Sequence, residues 1–375
     1  MFTEADKSAE RKKYGVYIHI PYCKSKCAYC TFESVPDFST QHAYVERLVG
    51  EIRGSAQIGS FVDTVYIGGG TPSCLFAGGV KRILGAVRET FDVDSIAEIT
   101  VEANPESCTD VFAEECAESG VNRISIGLQS SDDCVLREVG RLHTRNDFIA
   151  SVRLLRSFGF DNISSDLILG LPHQLVADVD RAIDIMAEHC SHSSVYALSV
   201  EYGTPLEKRG YAPDDDYVAD LYERALSRLS KYSFERYEVS NFARAGKQSR
   251  HNKKYWNCEP YLGFGAAAHG YDGDRIRYYH AGGVDEYLHG DGINYTVLSE
   301  VDKYNEYVML RLRTADGIDK SEFKRRFGYE FEDENGEILD RAVRSGAIVC
   351  AESRIAVAAD KMFVMNGIIE EFMKD

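Results

Sequence analysis

Apolar positions along the chain follow two alternating rhythms. Short runs rich in β-branched and aromatic residues recur at 16–20, 62–67, 98–102, 123–126, 163–169 and 195–200. Between them, segments such as 42–52, 80–90 and 147–157 carry apolar residues at helical spacing. Strand–helix alternation repeated six times predicts parallel β/α architecture. Most of the strand runs are largely apolar, as expected when both faces of a strand are covered. Polar and turn-forming residues gather just past the strand ends: Cys23, residues 68–72, Asn104, Gln129 and Pro172. In β/α barrels those ends build the active site. The pattern predicts a partial, TIM-like (β/α)6 barrel over residues 14–235, behind a polar tail at 1–13. A doubly wound open sheet is the alternative architecture.

The rhythm changes after residue 205. Residues 236–300 are rich in Tyr, Gly and His and lack clear periodicity, so they read as a connecting region. Helical patterns return at 306–313, 320–327 and 335–345, followed by a hairpin formed by 347–351 and 354–358 and a last helix. Three helices and a two-stranded wing predict a small winged-helix-like domain over 301–375.

Charge narrows the functions open to this fold. Among 375 residues, 43 Lys+Arg face 60 Asp+Glu, a net charge of −17. The 301–375 segment carries 12 basic and 16 acidic residues, the wrong sign for a phosphate footprint. Nucleic acid is therefore not an expected partner. No uncharged apolar run approaches the roughly 20 residues that span a bilayer. The polar N-terminus predicts no secretory signal, and a cytoplasmic location is the expectation. Transient membrane association is left open.

The ten cysteines do not read as a disulfide framework in a chain of this length. Three of them, Cys23, Cys27 and Cys30, lie within eight residues directly after the first strand. Structural zinc usually takes four ligands in two close pairs, and no second pair follows Cys30. An iron–sulfur cluster fits better: cubane clusters normally take four thiolates, so three leave one iron open for substrate. Lys24 and Lys26 place positive charge beside the thiols, which favours thiolate.

The segment YIHIPYCKSKCAYC, together with GGGTPS (68–73), EANPE (102–106), GLQS (127–130), DLILGLP (166–172) and HNKKYW (251–256), resembles the radical S-adenosylmethionine (SAM) superfamily. The resemblance runs from about Tyr14 to the C-terminus. Within the superfamily it points to the group containing oxygen-independent coproporphyrinogen III dehydrogenase and the HemW heme chaperones. It implies a [4Fe-4S] cluster on Cys23, Cys27 and Cys30, with SAM chelated by the open iron. The implied SAM contacts are Gly69, Gly70 and Thr71 after the second strand, Glu102 at the end of the third, Gln129 after the fourth, Asp166 within the fifth, and Arg141 for the SAM carboxylate. Tyr17 matches a tyrosine near SAM, and Tyr29 is implied to lie against the adenine.

Two features favour the chaperone. The dehydrogenase usually has a fourth cysteine two residues after the third, where this chain has Phe32. HNKKYW is the second, and it holds the only tryptophan, Trp256. A heme or porphyrin surface built on this region would take its iron ligand from His251, His269 or His280, among which no sequence pattern chooses. The implied acceptors are heme-binding apo-proteins such as respiratory enzymes. Whether the protein is itself an enzyme is open: porphyrinogen decarboxylation through SAM cleavage is the competing reading.

Overall fold

In the computed structural model, described for residues 11–290 and 292–374, six parallel strands follow one another in chain order. They are β1 (Lys13–Ile20), β2 (Phe61–Gly69), β3 (Asp92–Ala103), β4 (Arg123–Gln129), β5 (Ile163–Leu169) and β6 (His192–Ala197). Helices α1 (Gln41–Arg53), α2 (Gly79–Thr90) and α3 (Asp110–Glu118) link the first four strands. The pair α4 (Asp133–Glu138) and α5 (Arg145–Ser157) links β4 to β5, and α6 (Val176–His189) links β5 to β6. α7 (Pro205–Lys208) and α8 (Asp215–Lys231) follow. The barrel is partial, as the strand–helix count predicts. At one edge β6 pairs with β8 (Asn241–Ala243), which pairs with β7 (Glu235–Arg236), both antiparallel.

Each strand has two faces of opposite character. Val16, Ile18, Ile20, Val65, Ile67, Val101, Ile124 and Leu167 are fully buried in a core shared with the helices. The alternate positions are polar and meet one another inside the barrel. Thr64, Thr100, Arg123, Ser164 and His192 are all buried. Register aligns Tyr17 with Tyr66, Tyr66 with Thr100 and Thr100 with Arg123, one polar layer. This corrects the expectation of strands that are apolar on both faces. It also explains why the sixth strand is His192–Ala197 rather than 195–200: its residues suit a polar interior. Ser164 Oγ lies 2.7 Å from His192 Nδ1, and His192 Nε2 lies 2.7 Å from the Tyr237 hydroxyl.

Residues 236–300 are not a structureless connection. After α9 (Arg250–Trp256) they add β9 (Tyr261–Phe264), β10 (His269–Tyr271), β11 (Ile276–His280), α10 (Val284–His289) and β12 (Ile293–Val297). β9 runs parallel to β1 and the others continue antiparallel. These strands, three to five residues long, are too short to show a period. Helix α9 packs into the barrel floor. Glu98 of β3 accepts the backbone N–H groups of Arg250 (3.0 Å) and His251 (2.9 Å). Lys254, 3% exposed, puts its ammonium 2.8 Å from Asp63 and 3.0 Å from Glu259.

The C-terminal order is α11 (Glu300–Leu312), β13 (Ile318–Asp319), α12 (Lys320–Phe327), α13 (Phe331–Arg344), β14 (Ile348–Cys350), β15 (Arg354–Val357) and α14 (Met365–Glu370). The hairpin and three helices are as expected; β13, two residues long, joins β15 as a third strand. Tyr304, Tyr307, Phe323 and Phe331 pack in one cluster with Tyr261 and Tyr271 of the sheet extension. No helix of the described residues is long and apolar enough to cross a membrane.

Replacing Lys254 with Ala takes the nearer cation from the half-buried Asp63 carboxylate, leaving it only Arg250 Nη2 at 3.9 Å. Breaking such a pair costs roughly 3 kcal/mol, and replacing both partners with apolar residues costs less. Urea unfolding of the full chain should show Lys254→Ala less stable than the Asp63→Leu, Lys254→Met double variant; equal or reversed stabilities would contradict this account of the pair.

Candidate functional site

A cavity of about 380 Å³ opens at the C-terminal ends of β1–β6. Cys23, Cys27, Tyr29, Cys30 and Phe32 line its rim. The loop carrying them is held by backbone bonds: Cys23 N–H to Val35 O (3.1 Å), Ala28 N–H to Val139 O (2.9 Å) and Cys30 N–H to Cys27 O (3.1 Å). All three thiols are free and half-buried. Burial raises the Cys23 and Cys30 thiols above their usual range. Among the described residues no three Cys, His, Asp or Glu side chains converge as one metal ion would require. Three soft donors spread around a rim suit a larger body, an iron–sulfur cluster with one iron free.

Below the rim, Gly69, Gly70, Glu102, Gln129, Arg141 and Asp166 line the same cavity. Each is placed by its element. Gly69 adopts φ 108°, and the His19 imidazole occupies the space a Cβ would need. Its N–H donates to Glu102 Oε2 at 3.0 Å, while the Tyr66 hydroxyl donates to Oε1 at 2.6 Å. Burial pushes the Glu102 carboxyl up to about 7, against the pull of the Tyr66 hydrogen bond. Asp166 is likewise raised by burial and lowered by the Ser194 hydroxyl. Gln129 sits at φ 64°, where the β4–β5 register slips. Its left-handed backbone turns the side chain into the space left by Gly127.

Arg141 follows α4, and its Nη2 donates to Asn104 Oδ1 (2.8 Å) and Gly127 O (3.3 Å). Its Nε donates to His143 Nδ1 at 3.3 Å. A capping box between Thr144 and Asp147 starts α5 and fixes this stretch.

Two expected contacts stand back from the cavity. Thr71 is buried, its hydroxyl 3.2 Å from Cys23 Sγ and accepting from Asn104 Nδ2 at 2.9 Å. It supports the cysteine loop instead of lining the pocket. Tyr17 lies one layer down, its hydroxyl 3.0 Å from His19 Nδ1 and its ring on Tyr66. Sequence reasoning missed Tyr66, Asn104 and His143, which hold Glu102 and Arg141. Asn104 stood in the quoted EANPE motif; Tyr66 was hidden in an apolar run.

The heme-ligand candidates scatter. His251 is fully buried, with Nδ1 2.9 Å from Thr64 Oγ1 and Nε2 2.7 Å from the Tyr255 hydroxyl. Burial, with Lys254 and Arg123 nearby, pushes its pKa down to about 3. Trp256 lies under the Arg313 guanidinium at 5.7 Å, and its buried Nε1 has no hydrogen-bond partner. His280 Nε2 sits 2.9 Å from Glu51 Oε1, at an angle that is not a hydrogen bond's. His269 is exposed on β10.

Fold and site together define a radical SAM protein. The radical SAM superfamily model matches residues 17–186, and the HemN C-terminal domain model matches 298–357. The heme chaperone HemW of Lactococcus lactis is 36% identical over 97% of this chain and 98% of its own. Those of Bacillus subtilis and Escherichia coli are each 32% identical over 96% of this chain and 99% and 98% of theirs. The coproporphyrinogen III oxidase HemN of Escherichia coli shares the fold, with a TM-score of 0.83 at 22% identity over 97% of this chain and 90% of that one. The chain belongs to the HemW family.

Cys27→Ala should remove the thiolate-to-iron absorbance near about 400 nm after reconstitution, while the far-ultraviolet spectrum stays native. Cys350, exposed at the far hairpin, should tolerate the same change. A full iron complement in the Cys27 variant would refute the assignment.

Proposed function

We propose that the protein is a heme carrier of the HemW kind, acting in the cytoplasm and handing heme to apo-proteins, respiratory enzymes among them. The near-full-length match to proteins named heme chaperone carries this reading. Phe32 supports it: an apolar ring, 62% exposed, stands at the cavity rim where the dehydrogenase group usually has a fourth cysteine.

In this reading Cys23, Cys27 and Cys30 hold a [4Fe-4S] cluster and the cavity holds SAM. The cluster, when bound, supplies an open iron and one-electron chemistry. The chain's own part is positional. Glu102, braced by Tyr66 and Gly69, and Asp166, braced by Ser194, accept from ribose hydroxyls. Arg141, braced by Asn104 and His143, pairs with the SAM carboxylate in the fork geometry guanidinium favours. Gly69 and Gly70 let the backbone approach the methionine end, and Tyr29 walls the adenine.

The completeness of this set in one cavity favours a second reading, oxidative decarboxylation of coproporphyrinogen III. Anaerobic incubation of cluster-loaded protein with SAM, reductant and coproporphyrinogen III separates the two. The carrier reading expects no protoporphyrinogen and a saturable absorbance change with micromolar heme. Turnover, or no heme response, would overturn it.

Glu102 also predicts a pH dependence. With its carboxyl at about 7, it is protonated below that pH and ionised above. The ionised form is the better acceptor, so SAM affinity should rise as pH passes upward through about 7. Charged hydrogen bonds contribute about 1.5–3 kcal/mol each, so Glu102→Gln should weaken SAM roughly tenfold or more and flatten the step. Equilibrium binding at pH 6 and 8 checks this; an unchanged profile in the variant would remove Glu102 from the role.

A further inference from the structure

Three histidines compete for a heme iron, and their surroundings separate them. Neither nitrogen of His251 is available: one faces Thr64, the other Tyr255, and the ring is wholly enclosed. His280 is buried against Glu51. A cavity of about 790 Å³ between α1, β11 and α10 is lined by His280 and His289; His289 Nδ1 lies 2.8 Å from the Asp285 carbonyl, and this cavity shares no lining residue with the one at the cysteine loop.

His269 differs from both. It is exposed, and neither ring nitrogen meets a hydrogen-bond partner among the described residues. Its ring stacks on Tyr279, centroids 5.3 Å apart and 20° between planes, which holds the imidazole in one orientation.

Its place in the fold points to the barrel mouth. Gly263 pairs with Tyr17 and Phe264 with Ile18, so β9 ends beside His19, at the end of the sheet that carries the cysteine loop. Tyr271 pairs with Tyr261, and His269 with Tyr279. Strand alternation then sets His269, Tyr279 and Gly263 on the face that Tyr17 presents to the interior. Gly263 itself is buried, and a Cβ there would run into the His269 backbone, so the glycine is what lets β10 close over the end of β9. The turn leading to His269 includes Ala267 at φ 57°, a conformation that residues with a Cβ disfavour. It is secured by Glu51, accepting from Gly265 N–H at 3.2 Å, and by the Tyr44 hydroxyl, accepting from Ala266 N–H at 2.9 Å. Backbone strain is thus accepted where the imidazole is aimed.

Resting on the heme-carrier reading, we propose that His269 is the axial ligand of the carried heme, which lies at the barrel mouth beside the exposed Tyr279 ring. The bond formed is a coordinate bond from an imidazole nitrogen to iron, with no change of oxidation state. Imidazole is the commonest protein ligand for heme iron, and a flat apolar macrocycle needs a flat wall.

Hemin titration of the cluster-loaded full-length chain, followed by the Soret band, tests this. In His269→Gly the dissociation constant should rise tenfold or more and the Soret maximum should move to that of heme without a protein imidazole. Added imidazole should restore the ligated band, which a merely structural role would not allow. His269→Met should keep binding with a shifted spectrum, and His280→Gln should match wild type. Wild-type spectrum and affinity in His269→Gly would overturn the proposal, as would loss of ligation in a folded His251→Gln or His280→Gln variant. Wild-type protein that binds no hemin would instead bring down the heme-carrier reading, and this assignment with it.

Discussion

The structure depends on satisfying charge inside a barrel whose inner face is polar. Glu102 and Asp166 are two carboxylates carried into a confined interior, and an unpaired buried carboxylate is among the costliest groups a fold can hold. The answer is a set of fixed donors. Tyr66 and Gly69 serve Glu102, Ser194 serves Asp166, and the buried Arg123 cation acts electrostatically on both. Those requirements reach outward. They give β2 a tyrosine where a barrel core would take an aliphatic residue, and β6 a serine–histidine run where the apolar pattern of the chain points three residues further on. The remaining pressure toward the neutral carboxyl is what tunes Glu102 near neutrality.

An open barrel must also be closed at its floor and flank. Helix α9 does the first. Its N-terminal N–H groups rest on Glu98, His251 wedges beneath Tyr66 with ring centroids 5.3 Å apart, and Lys254 neutralises Asp63. The HNKKYW motif is therefore explained by packing: it ties the barrel floor to the tyrosine that holds Glu102. The C-terminal unit does the second. Its aromatic cluster shares Tyr261 and Tyr271 with the sheet extension, so the extension is clamped between barrel and C-terminal helices.

How much of this was legible in the sequence varied with the kind of information. The cysteine loop was readable from its spacing after the first strand, whereas Gly69, Gly70, Glu102, Gln129, Arg141 and Asp166 were named through the family resemblance; of these, Arg141 follows α4 and Asp166 lies within β5, where periodicity gives no cue. The helices at 42–52, 80–90 and 147–157 were readable from hydrophobic periodicity. Tyr66 and His143 were not, because their roles arise from register between strands and from the path of the chain after α4. Thr71 and Tyr17 were likewise named through the resemblance, and the fold sets one behind Cys23 and the other a layer deeper. The β9–β12 extension escaped because three- to five-residue strands rich in Gly and Tyr carry no measurable period. Its pairing partners are fixed by contacts with β1 that no local pattern encodes.

Cavity size bears on where carrier and enzyme can differ. About 380 Å³ is near the lower end of the range for pockets that enclose a small ligand. It accommodates one nucleoside-sized molecule beside the cysteine loop, and a macrocycle in addition would not fit within it. In the carrier reading a porphyrin would then lie above the cavity, on the rim. In the proposed reading the groups deep in the site serve either function equally, since they would address the nucleoside and not the macrocycle. Selectivity for a metallated, oxidised porphyrin over its colourless precursor has to come from the mouth. There, Phe32 stands as an apolar edge, and His269 on β10 is the imidazole we propose for the iron. A flexible, reduced porphyrinogen has no iron for that imidazole to meet. A heme does, and the coordinate bond would hold it at the surface, within reach of an acceptor protein.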